Sequence, residues 1–90
     1  MSPLKAAVKP KPFHFSVTAV PEPGALIRIL ALFAKRGTTI ARCHAAVERA
    51  ERDRLIVDLQ VDGITDDAAG RIGEGLRSLV SVELVLLARG

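Results

Sequence analysis

Ninety residues make one domain, and a chain of this size buries only about 60% of its unfolded surface, so its core is thin. The lone Cys43 excludes an internal disulfide, and without a CxxC spacing no structural zinc site is expected, which leaves self-association as the source of extra burial. The net charge of +3 traces to Lys5, Lys9 and Lys11, and the rest of the chain balances ten basic against ten acidic residues, so no basic face for nucleic acid is implied.

Met1 to Pro12 carries three prolines among lysines and small residues and reads as a basic, flexible tail ahead of a domain over 13–90. It lacks the apolar core of a secretory signal, and no run in the chain approaches the roughly 20 apolar residues that cross a bilayer. A cytoplasmic location without membrane attachment is therefore the expectation, and a free thiol agrees with it.

In Phe13 to Val20, Phe13, Phe15, Val17 and Ala19 alternate with His14, Ser16 and Thr18, the pattern of a half-buried strand. Pro21, Glu22, Pro23 and Gly24 force a turn. Ala25 to Arg36 reads as a helix, with Leu26, Ile29, Leu30 and Phe33 at helical spacing and Ile27 and Leu32 widening the apolar surface. Lys35 and Arg36 suit the negative end of its dipole, and Gly37 stops it.

Thr38 to Glu48 reads as a second strand, with Cys43, Ala45 and Val47 on one face and Arg42, His44 and Glu48 on the other. Ile40 breaks that parity, which predicts a bulge or a late strand start. A charged connection over 49–53 leads to a third strand, Arg54 to Asp62, and the two form a hairpin. Gly63 to Val80 holds a second helix, with Thr65 as N-cap, Asp66 and Asp67 in its first turn, and Ala69, Ile72, Leu76 and Leu79 as its apolar stripe. Gly70, Gly73 and Gly75 each cost up to about 1 kcal/mol against alanine there. Val82 to Ala88 is a last strand, apolar on both faces, so both faces are expected to be covered.

The order strand, helix, strand, strand, helix, strand predicts an α+β, ferredoxin-like sandwich: a four-stranded antiparallel sheet with two helices on one face. A second copy of the chain, or a larger partner, would cover the apolar surface left over.

The residues offer little catalytic chemistry. Cys43 and His44 are neighbours in a strand and point to opposite faces, so they form no nucleophile–base pair; Cys43 is expected in the core and His44 at the surface. Asp58, Asp62, Asp66 and Asp67 fit neither an EF-hand loop nor a two-metal cluster, so they read as a solvated rim and no metal is expected. Gly70, Gly73 and Gly75 lie inside a helix, out of the order and context of a dinucleotide loop, and no cofactor is implied. A base-stacking sheet needs aromatic residues on its open face, and two of the three phenylalanines share the core parity. No catalytic residue is assigned and the chain is not expected to be an enzyme. The feature with binding geometry is the Pro23–Gly24 turn feeding the first helix, where free N–H groups and a positive dipole can hold a carboxylate.

The stretch Phe15-Ser-Val-Thr-Ala-Val-Pro-Glu-Pro-Gly24-Ala-Leu26 resembles the opening of an ACT domain, in which a strand runs into a Pro-Gly-x-Leu turn. Arg28-Ile-Leu-Ala-Leu-Phe33-Ala-Lys-Arg36-Gly37-Thr-Thr-Ile40 is similar to the first helix and following strand of the small subunits of acetolactate synthase, and Leu76 to Val85 is similar to their second helix and last strand. The resemblance covers Phe13 to Ala88 and matches the short form of that subunit. It implies a non-catalytic regulatory or activating subunit in branched-chain amino acid biosynthesis. The implied partners are a second copy, a catalytic large subunit that uses thiamine diphosphate, and a small amino acid effector. The implied effector site is Glu22, Pro23, Gly24, Ala25 and Leu26 of one protomer facing Thr39 and Ile40 of its neighbour, with the N–H groups of Gly24, Ala25 and Leu26 on the effector carboxylate. Two positions depart from the family pattern: Pro21 and Thr39 stand where polar residues bind the effector. A stand-alone ACT sensor for another enzyme and a ligand-free interaction domain remain as rival readings.

Overall fold

A computed structural model describes residues 12–90; the basic tail expected before the domain lies, but for Pro12, outside the described residues. The elements are β1 (Phe13–Ala19), α1 (Ala25–Lys35), β2 (Ile40–Glu48), β3 (Arg54–Val61), α2 (Asp66–Arg77) and β4 (Val82–Arg89). The strands form one antiparallel sheet in the order β2-β3-β1-β4, with both helices on one face, as the element order requires.

The alternation in β1 does what its period dictates. Phe13, Phe15, Val17 and Ala19 are all buried, and they meet Leu55, Val57, Leu59 and Val61 of β3 across the ladder. Ile29 and Phe33 of α1 and Ile72 and Leu76 of α2 close the core from above. Phe33 meets Phe15 edge to face at 5.0 Å, the arrangement that aromatic quadrupoles favour. Arg89 lies over the Phe13 ring at 4.3 Å, donates to the Ile64 carbonyl and pairs with Asp66 at 2.7 Å, so the end of β4 is tied to the start of α2.

The helix ends follow their local chemistry. The Thr65 hydroxyl accepts from the Ala68 N–H at 3.1 Å, and Asp66 and Asp67 occupy the first turn. Helix α2 ends at Arg77, short of the expected span to Val80; Leu79 lies beyond it, packed against the core from the following turn. Two of the α2 glycines turn out to be sites of close approach. A Cβ at Gly73 would come within 3.2 Å of Leu87, and one at Gly75 within 3.4 Å of Leu32 of α1, whereas a Cβ at Gly70 would meet open space.

The second strand departs from expectation. The parity break at Ile40 is a register shift between Ile40 and Arg42, and the strand starts at Ile40. Cys43, Ala45 and Val47 do share the helix-facing side, opposite Leu59, Val57 and Leu55. Cys43 is nevertheless exposed, not a core thiol, as are Ala45 and Val47. The reason is position: β2 is an edge strand, and the helices pack over the centre of the sheet. Strand β4 also has one face covered, not two. Val85 is buried beneath the helices, while Leu84 and Leu86 are 50% and 57% exposed on the other face.

These contacts separate the three glycines by experiment. Gly70→Ala should stabilise the domain by up to about 1 kcal/mol, the propensity gain at an open helix site. Gly73→Ala should gain less or destabilise, because Leu87 must yield. Urea denaturation of the two variants checks the order.

Candidate functional site

Strand β1 delivers the chain into the turn that carries the expected effector residues. Gly24 is the N-cap of α1 at φ 84°, a left-handed conformation that suits glycine, and no side chain caps this helix end. The first turn of α1 holds no acidic residue. A helix start of this kind leaves backbone N–H groups available to an anion.

The free donors are fewer than expected. The Ala25 N–H is already engaged with the Glu22 carbonyl at 3.1 Å. Of the three N–H groups assigned to a carboxylate, Gly24 and Leu26 are the two without that engagement. Arg28, which sequence reasoning passed over, folds back across the turn. Its guanidinium lies 3.4 Å from the position of a Cβ on Gly24 and 3.5 Å from a carboxylate oxygen of Glu22. The spacing Gly24 to Arg28 was the available signal, since residues four apart stack on one helix face.

The turn borders a groove of about 470 Å³, lined by Pro21, Glu22, Pro23, Gly24, Leu26 and Ile27 on one side and by Val47 and Leu55 of the hairpin on the other. Ile27 is 72% exposed there. The groove exists because α1 stops short of β2, leaving apolar side chains on both banks.

Thr39 and Ile40 lie elsewhere within the chain. Ile40 pairs with Val61 at the Phe13 end of the sheet. The turn follows Ala19, which pairs with Leu55 at the other end. At about 3.4 Å per residue, the two halves of the expected site are roughly 20 Å apart along the strands. Thr39 instead lines a separate recess of about 350 Å³ with Arg36, Asp62 and Thr65. One chain therefore does not bring the seven residues together.

The second concavity is on the sheet face that carries no helix. It encloses about 340 Å³ and gathers His14, Ser16, Arg42, His44, Asp58 and Gln60 with Leu86 and Ala88. Among the described residues no group of three His, Cys, Asp or Glu side chains has the geometry to hold a metal ion. No helix of the described residues is long and apolar enough to cross a membrane.

Against this geometry, the model of the ACT-like domain family matches residues 8–89. The chain belongs to the ACT-like domain family. Comparison with curated protein sequences gives no match. Among solved structures, the ACT domain of a GTP pyrophosphokinase from Chlorobium tepidum is similar at a TM-score of 0.73 and 15% identity, over 90% of this chain and 100% of that one. A homoserine dehydrogenase from Thiobacillus denitrificans is similar at a TM-score of 0.68 and 19% identity, over 92% of this chain and 18% of that one. The ligand-free regulatory subunit of an aspartate kinase from Thermus thermophilus is similar at a TM-score of 0.64 and 16% identity, over 87% of this chain and 50% of that subunit. At such identities these are likenesses of fold. This ACT-type module is of the regulatory, ligand-binding class, and its resemblance to acetolactate synthase small subunits is a narrower matter than its family.

Gly24→Ala tests how tightly the turn is specified. The substitution forces a left-handed alanine and crowds Arg28, so it should destabilise the ACT domain by about 1–2 kcal/mol. Thermal unfolding of the variant gives the measurement.

Proposed function

We propose that this ACT domain is the short regulatory or activating subunit of an acetolactate-synthase-type enzyme, working as a homodimer and binding a small amino acid between protomers. The catalytic chemistry would belong to a large subunit that uses thiamine diphosphate; this chain would supply contact and control. The resemblance of residues 15–26, 28–40 and 76–85 to those small subunits supports the assignment.

The observation that carries the proposal is the state of β2. It is joined to the domain by one ladder, to β3, and seven of its nine residues from Arg42 to Glu48 are exposed on both faces. A second copy added antiparallel along this edge would pair the free backbone groups of the two β2 strands. Such pairing runs the partner's Ile40 end alongside the Val47 end of the first chain. Val47 lines the groove at Gly24, so the partner's Thr39 and Ile40 would come beside Glu22, Pro23, Gly24, Ala25 and Leu26. The two halves that one chain holds apart would then form a single site.

In that site the effector carboxylate would sit on the Gly24 and Leu26 N–H groups with Arg28 beside it. An apolar side chain would fill the groove between Ile27 and Val47. Pro21 offers no polar side-chain atom, so the effector's ammonium group would depend on Glu22 and the partner's Thr39.

Ala45→Asp places a charge in the middle of β2 without disturbing the core, because Ala45 is exposed. Sedimentation equilibrium should then show a monomer where the parent chain is a dimer, and calorimetric heat with valine, leucine or isoleucine should vanish with it. A parent chain that sediments as a monomer and recovers no thiamine-diphosphate-dependent subunit in a pull-down would overturn the proposal.

A further inference from the structure

The uncovered sheet face has a chemistry of its own. Register places three rows across the four strands. Arg42, Gln60, His14 and Ala88 form one, His44, Asp58, Ser16 and Leu86 the next, and Ala46, Ile56, Thr18 and Leu84 the third. Arg42 and Asp58 sit on neighbouring strands one row apart, a diagonal at which Cβ atoms are about 7–8 Å apart. A guanidinium on its long stem can reach a carboxylate across that gap, yet the two form no ion pair. His14, Ser16, His44 and Gln60 likewise spend no side-chain donor or acceptor on the protein. By contrast, Arg28, Arg49, Arg52, Arg71 and Arg89 are each held by a carboxylate.

The cleft therefore has a positive pole at Arg42, a negative pole at Asp58 and an apolar bank at Leu86. Leu86 lies two strands from Asp58 with Ser16 between them, or about 10 Å at the usual interstrand spacing. A second copy is a poor occupant. A patch of four strands and three rows is about 20 Å on a side, so two stacked copies would bury about 800 Å² in total, the size of an incidental packing contact. Inorganic anions leave Asp58 opposed, and simple amines leave Arg42 opposed.

We propose that this face binds a small zwitterion: a molecule with a carboxylate and an ammonium a few bonds apart and an apolar tail. The carboxylate pairs with Arg42, the ammonium with Asp58, and the tail crosses Ser16 to lie on Leu86. Its volume of about 340 Å³ is at the small end of the range for ligand sites. This site is separate from the turn at Gly24 and stands or falls without it.

The test is an NMR titration of the full chain with L-phenylalanine, 3-phenylpropanoate and 2-phenylethylamine, which share one tail and differ in their charges. Saturable shifts at residues 42, 44, 58 and 60 with phenylalanine are expected, with binding weakened about threefold to fivefold for each one-charge analogue, the scale of one exposed ion pair. Asp58→Asn and Arg42→Gln should each bring phenylalanine down to the level of the matching analogue. Neither side chain supports the core, so unchanged thermal unfolding confirms that the variants remain folded. Equal binding of either analogue, or no saturable shift with phenylalanine, overturns the proposal. Shifts confined to residues 22–27 also overturn it, while leaving the effector site at the turn standing.

Discussion

Everything outside the core follows from how far two helices reach over four strands. Phe33 and Ile29 of α1 and Ile72 and Leu76 of α2 cover β1, β3 and the near side of β4. They leave the helix-side face of β2 bare, along with the whole of the opposite sheet face. A chain this small gains nothing from disulfides or a described metal site, so apolar area left open on β2, Ile27 and Leu86 is a larger fraction of its stability than in a bigger domain. The fold is complete as a topology and incomplete as a surface.

The two open regions differ in character. The groove between α1 and β2 is apolar on both banks and sits beside a helix start with free N–H groups, which suits a carboxylate with a greasy side chain. The sheet face is polar over β2 and β3 and apolar over β4. Membership of the ACT-like family accounts for the architecture, and the arrangement of β2 beside the Gly24 turn is the physical basis for reading it as a two-chain regulatory module.

Much of this was legible in the sequence. Strict alternation in β1 named its buried residues, Thr65 announced the cap of α2, and the parity error at Ile40 located the bulge, because each is a local constraint. Cys43 shows where local reasoning ends. Alternation assigns a side chain to a face, but whether anything lies over that face depends on strand order, which only the fold supplies. The same holds for β4, whose apolar second face is bare in the single chain. The α2 glycines read as weak points until Leu87 and Leu32 are seen against Gly73 and Gly75. At the candidate site, Gly24 was visible as a turn, but Arg28 above it and the engaged Ala25 N–H were not. The cleft on the sheet face was hidden for a further reason: its residues come from β1, β2, β3 and β4, and only the register brings them into neighbouring rows.

The central claim is that β2 is finished by a second copy of the chain. Amide hydrogen exchange on the outward-pointing half of residues 40–48 tests it most directly, because those N–H groups have no ladder partner within one chain. In concentrated solution the account predicts that they exchange as slowly as the amides of β1, with protection falling away on dilution. Fast exchange of the same amides in concentrated solution, with β1 and β3 fully protected, would contradict it.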